Sequence, residues 1–169
     1  MLSLMSAAVI GAGSGAESAG SMTLASDSFK NGDYLAREYT CEGKDLSPEL
    51  HWSYSGQAAS FAVTCDDPDA PGGDFVHWVA YNIPATVKNL QKGFPKKADN
   101  NGILQGTNDF PETGYNGPCP PKGKPHRYIF TVYALDTKIA DKNLTLAELK
   151  KAIKGHVLAS ASITGMYKR

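Results

Sequence analysis

Gly114–Leu135 reads GYNGPCPPKGKPHRYIFTVYAL, and the fold turns on it. Its second half, Tyr128–Leu135 (YIFTVYAL), is an almost unbroken run of β-branched and aromatic residues, the composition of a strand buried on both faces. Its first half packs four prolines and three glycines between Gly114 and Tyr128, which makes a loop of fixed bends and few side chains. Proline removes the amide donor at positions 118, 120 and 121, so the amides of Gly117 and Cys119 are expected to be free to face a ligand. Where the strand begins, two-residue alternation places His126 and Tyr128 on one side and Arg127 on the other. A stiff loop that delivers an imidazole and a phenol to one face suggests a binding site; a plain structural loop is the competing reading.

Working outward, three more strands emerge. Phe61–Cys65 (FAVTC) runs into Asp66-Asp67-Pro68, where proline ends pairing, and Val76–Ile83 (VHWVAYNI) is closed by Pro84. Val157–Tyr167 (VLASASITGMY) reads as a last strand, weakened by its alanines and Gly165. One helix is signalled by a capping box, with Thr145 as N-cap and Glu148 reaching back to its amide. Leu146, Leu149 and Ile153 give it an apolar stripe, and Gly155 stops it. Long loops at 66–74, 92–102 and 109–125 separate these elements. The fold class expected is mainly β with few helices and an antiparallel sheet, forming a single domain over residues 22–169 with no internal repeat.

Charge narrows the function classes. The 169 residues hold 17 Lys+Arg against 17 Asp+Glu, so no cationic excess is available to displace counterions from nucleic acid. Apolar and aromatic residues at 41% exclude an acidic disordered chain. Leu2–Ile10 is a short apolar run followed by Gly, Ala and Ser up to residue 21, with a small-x-small site at Ser14 and Ala16 but no basic start. Residues 1–21 therefore read either as a truncated signal, which implies a periplasmic or secreted protein, or as a flexible extension of a cytoplasmic one. No stretch is apolar enough for stable membrane insertion. Cys41, Cys65 and Cys119 form no C-x-x-C pair, which disfavours zinc and thioredoxin-type chemistry. Export would leave one disulfide and a free thiol; buried cytosolic thiols are the alternative.

Other residues able to carry chemistry stand in the next two segments. Asp66–Gly73 (DDPDAPGG) follows a hydrophobic strand, and in extended backbone Asp67 and Asp69 point the same way. The plainer reading of the segment is a turn in which these carboxylates accept backbone amides, and it lacks the glycine and distal glutamate of a calcium loop, so no metal is expected. His77 enters the following strand; alternation puts His77, Val79 and Tyr81 on one face and Val76, Trp78 and Ala80 on the other. No G-x-S-x-G elbow, P-loop or H-E-x-x-H motif appears, and no cofactor is implied. The nearest nucleophile, Cys119, sits between prolines without an obvious base. Lys96-Lys97 and Lys150-Lys151 read as solvated surface charge.

Asp66–Pro71 (DDPDAP), the His77 strand and Gly117–Tyr128 (GPCPPKGKPHRY) resemble the signature regions of the phosphatidylethanolamine-binding protein family. Cys41–Trp52 (CEGKDLSPELHW) and GPCPP are similar to its bacterial and archaeal branch, and the likeness spans roughly residues 22–169. The resemblance implies a large central antiparallel sheet, a second smaller sheet, and a shallow anion-binding pocket at one end. By the same resemblance Asp67, Asp69, His77, Gly117, His126 and Tyr128 line that pocket, with Pro118 and Cys119 at its rim. The implied ligand is a small anion, phosphate or a phospho-headgroup. Some family members inhibit kinases or proteases, which implies a possible protein partner. Eukaryotic members carry a C-terminal helix that this chain lacks after its last strand, so their lipid and kinase regulation is not carried over. Chemically, Asp67 or Asp69 would hold His77 and His126 as charged donors to the anion, joined by Tyr128 and free amides. Binding would then strengthen below neutral pH. A hydrolase acting on a phosphoester or ester is the alternative function.

Overall fold

The computed structural model describes residues 20–169, so the segment read as a signal or extension lies outside the described residues up to position 19. Four strands carry the larger sheet: β3 (Ser60–Asp67), β4 (Phe75–Pro84), β8 (His126–Leu135) and β9 (Val157–Tyr167). Two short strands, β6 (Asp99–Asn100) and β7 (Ile103–Gln105), extend it to the order β6-β7-β4-β3-β8-β9. A three-stranded sheet of β1 (Met22–Ala25), β2 (Leu50–Tyr54) and β5 (Asn89–Leu90) lies in the order β1-β2-β5. The strands of both sheets pair antiparallel, and the mainly β architecture with a large and a smaller sheet is as expected.

Apolar side chains of β1, β2 and β5 (Leu24, Leu50, Trp52, Leu90) pack with Phe61, Val63, Cys65, Trp78, Phe130 and Val132 of the large sheet, so the small sheet covers one of its faces. Each fully buried side chain of this size contributes about 1.5–3 kcal/mol of transfer free energy. The opposite face is covered by α1 (Leu146–Ala152) and the chain before it, through Ile139, Leu144, Leu146, Leu149 and Ile153 against Ala62, Val79, Tyr81 and Leu135. The capping box forms as read, with Thr145 accepting from the Glu148 amide and Glu148 accepting from the Thr145 amide, and Gly155 takes a positive φ of 83° past the helix end. Because both faces are covered at their centres, β3 and the Trp78–Tyr81 stretch of β4 are buried on both sides. That corrects the reading of Tyr128–Leu135, whose β8 alternates buried residues with half-buried ones.

A second correction bears on the site. Cys65 faces Trp78 across the ladder while Asp66 faces Val76, so β4 carries one extra residue, His77. This β-bulge breaks the two-residue alternation. Val76 therefore packs with Val79 and Tyr81 toward the helix, Trp78 and Ala80 face the small sheet, and His77 is turned toward Tyr128. A second bulge lies between Phe61 and Val63, opposite Asn82, whose φ is 57°. Among the described residues no helix is long and apolar enough to cross a membrane.

Candidate functional site

The C-terminal end of β3 and the N-terminal ends of β4 and β8 coincide, because Asp66 pairs with both Val76 and Ile129. Asp67, His77, His126 and Tyr128 therefore converge at one end of the large sheet. They line a cavity of about 180 Å³ with Ala70, Pro71, Phe75, Phe110, Cys119, Pro120 and Pro121. That volume lies below the range of roughly 300–1,000 Å³ typical of drug-sized ligands and suits a headgroup-sized molecule.

Asp67 and His126 form the centre. His126 Nδ1 donates to Asp67 Oδ2 at 2.7 Å, with both side chains about 95% buried, and this bond leaves Nε2 as the other edge of the ring. The second Asp67 oxygen accepts the Asp69 amide at 2.8 Å, so the turn reading of this segment also holds. Asp69 does not join Asp67 in the cavity. Its carboxylate takes Arg127 from Nε (2.9 Å) and Nη2 (2.8 Å) and accepts the Arg127 amide, since β3 has ended and Pro68 turns the chain outward. The Arg127 hydrogen bond, helped by its charge, holds the Asp69 carboxyl down at about 2.

His77 is held by the loop across the mouth rather than by an aspartate. Its Nδ1 donates to the Asn116 carbonyl at 2.6 Å, while the Asn116 amide donates back to the His77 carbonyl at 3.0 Å. Phe75, Phe110 and Tyr128 surround the ring at centroid distances of 5.3, 5.4 and 5.1 Å. Burial lowers its pKa and outweighs the opposing pull of the Asn116 carbonyl and the Asp67 charge. The expectation that a carboxylate holds His77 charged is thereby corrected. The Tyr128 hydroxyl is buried and finds no hydrogen-bond partner among the described residues. Its pKa is pushed far above the usual value by that burial, with the Asp67 charge adding to the shift.

The proline-rich loop contributes less than its sequence suggested. Cys119, Pro120 and Pro121 form a wall of the cavity, whereas Gly117 and Pro118 are buried and do not line it. The Gly117 amide is not free: it donates to Asp45 Oδ1 at 2.7 Å. A Cβ at Gly117 would meet the Tyr39 carbonyl at 2.2 Å, so this glycine serves close packing. Cys119 forms a disulfide with Cys41, and Cys65 is a buried free thiol.

Sequence reasoning missed Asn108, Asn116, Asp45 and the Phe75–Phe110 pair. Asn108 is buried and uses its whole amide, donating to the Gly114 carbonyl and Asn116 Oδ1 and accepting the Phe110 and Glu112 amides. Nothing in the sequence marks these residues except their place in long loops, where backbone groups need partners. Among the described residues the grouping with metal-ligand spacing is Asp27, Glu49 and His51, away from the cavity, and Glu49 already accepts from the Asp27 amide and His51.

The model of the phosphatidylethanolamine-binding protein family matches residues 25–168. A UPF0098 protein of Aquifex aeolicus is 44% identical over 152 residues, covering 88% of this chain and 89% of that one. The UPF0098 protein YbhB of Escherichia coli is 42% identical over 157 residues, covering 86% of this chain and 99% of that one. The crystal structure of Escherichia coli YbcL, described as a new member of the mammalian PEBP family, superposes with a TM-score of 0.81 at 40% identity over 88% of this chain and 98% of its own.

Proposed function

The chain belongs to the phosphatidylethanolamine-binding protein family, in its bacterial and archaeal branch, and on that footing we propose that its cavity binds a phosphate-type anion, free or as a headgroup. The family supports small-ligand binding in general. The observation that carries the anion is the Tyr128 hydroxyl, a buried donor without an acceptor on the wall of a headgroup-sized cavity. Leaving such a group unpaired costs about 1–3 kcal/mol, which a ligand oxygen would recover.

Neither Lys nor Arg lines the cavity, so the cationic charge must come from histidine. Neutral His77 keeps its proton on Nδ1, because the Asn116 carbonyl only accepts, and presents a lone pair at Nε2. That lone pair repels an anion; protonation turns it into a donor. The pKa of free His77 lies below the usual ~6.5, so binding strengthens as pH falls toward that depressed value and takes up a proton. Calorimetry with phosphoethanolamine between pH 5 and 8, in buffers of different ionisation enthalpy, measures both effects. Inorganic sulfate serves as the control whose own charge is constant over the range. Equal sulfate affinity at both ends, with no proton uptake, would sink the proposal.

While Cys119 is bonded to Cys41, the hydrolase alternative has no cysteine nucleophile at the cavity. It would need water activated by the Asp67–His126 pair. Turnover of a phosphoester and ester panel that disappears in His126→Ala would favour it over simple binding. A protein partner of the kinase or protease class would meet the loops at the cavity mouth, and its loss in a His77→Ala pull-down would place it there.

A further inference from the structure

Three bonds tie the proline-rich loop to the Arg37–Asp45 segment as far as residue 118: the Tyr115 hydroxyl to the Tyr39 carbonyl (2.9 Å), the Gly117 amide to Asp45 (2.7 Å), and the Cys41 amide to the Pro118 carbonyl (3.1 Å). The wall of the cavity lies beyond them, at Cys119, Pro120 and Pro121. There the covalent tie is the Cys41–Cys119 disulfide, which joins positions 78 residues apart.

The surroundings of its two sulfurs differ. Cys41 is exposed, whereas Cys119 is half-buried. Arg169 Nη1 lies 3.8 Å from Cys119 Sγ. Glu42 pairs with Arg169 Nε at 3.6 Å and accepts the Tyr167 hydroxyl at 2.5 Å, and Arg37 Nε donates to the Glu42 carbonyl. A guanidinium beside a sulfur stabilises its thiolate, and in exchange the sulfur of lower pKa leaves faster.

We propose that the Cys41–Cys119 bridge is a thiol-exchange site, at which a small thiol adds to Cys41, Cys119 leaves beside Arg169, and one wall of the cavity is released. The attacking thiolate's electron pair forms a new S–S bond to Cys41 as the bond between the two cysteines breaks toward Cys119. A second small thiolate then attacks the first one's sulfur in the mixed disulfide, and that S–S bond breaks toward Cys41, which leaves as a thiolate. The two small thiols end as their disulfide, and their two protons and two electrons reside on Cys41 and Cys119. This chemistry is independent of the anion proposal; only its consequence for binding rests on that reading.

The test treats the full chain with glutathione, quenches by alkylation and maps the peptides by mass spectrometry. The mixed disulfide is expected on Cys41, and Arg169→Gln is expected to slow opening about threefold to tenfold at neutral pH. Adduct divided equally between the cysteines, or an Arg169→Gln variant that opens as fast as the parent, overturns the assigned direction. A bridge that stays closed in millimolar glutathione over hours overturns the site. Hydrogen exchange in the peptide spanning 115–124 is expected to quicken on reduction while the β-sheet circular dichroism persists. Unchanged exchange, or loss of the sheet signal, overturns release of the wall. None of these readouts uses a ligand, so failure of the anion proposal leaves them intact.

Discussion

At the scale of single residues, the site is set by which polar atoms already have partners. Asp67 and His126 satisfy one another, His77 has the Asn116 carbonyl, and Tyr128 has nothing. Truncating Tyr128 to phenylalanine therefore removes a donor that has no acceptor within hydrogen-bond distance in the free protein. Tyr128→Phe is expected to leave the unliganded melting temperature unchanged or slightly raised while weakening phosphoethanolamine roughly ten- to hundred-fold, the worth of a hydrogen bond to a charged acceptor. Paired calorimetry and thermal melts separate the two; a variant that loses stability but keeps affinity would refute the role assigned to the hydroxyl. For His77 the sign follows from its depressed pKa. Below ~6.5 the unfolded chain binds a proton that the native site refuses, so stability is full above that value and falls as pH drops toward the native pKa. Histidine titration by NMR is expected to place His77 below 6.5 in the free protein and to raise it when phosphoethanolamine is added. A resonance unmoved by ligand would count against His77 as a donor.

Elements were legible where they are local. The helix could be read because its signals lie within a few residues: the Thr145–Glu148 box, the Leu146–Leu149–Ile153 stripe and Gly155. The long strands were legible from β-branched and aromatic runs, but the bulge that re-aims His77 was not, because it is defined only against β3 across the ladder. The short strands β5, β6 and β7 carry no run of their own and exist through their partners. The loops show the same division. Cys119 was legible at the cavity, whereas the direction of Asp69 depends on Arg127, 58 residues away. Asn108 is the strongest case, since one side chain closes the whole 108–116 loop that holds His77. Its four hydrogen bonds make Asn108→Ala a loss of about 2–4 kcal/mol, mostly from backbone groups left unpaired. Thr145→Ala, by comparison, removes one cap and is worth about 1 kcal/mol. Urea denaturation of both variants tests the ranking, and an Asn108→Ala no less stable than Thr145→Ala would show that the loop is held by something else.

For the whole molecule, zero net charge and a cationless cavity belong together. A chain with 17 charges of each sign has no net charge to gather anions at long range, and on this reading selectivity arises in the cavity, by protonation of histidine and by oriented donors. The rigidity such a site needs comes partly from the disulfide, whose ends are joined across 78 positions that include β2 to β7. Closing a loop of that length restricts the unfolded chain by about 4.5 kcal/mol, a large share of the 5–15 kcal/mol typical of a domain. The Cys41→Ser/Cys119→Ser variant is therefore expected to lose about 3–5 kcal/mol in urea and still fold, with its sheet spectrum intact. The m-value should rise, because an uncrosslinked chain exposes more surface on unfolding. A loss under about 1 kcal/mol with an unchanged m-value would mean that the unfolded chain is compact without the bridge, and the tie would then matter only to the wall it holds.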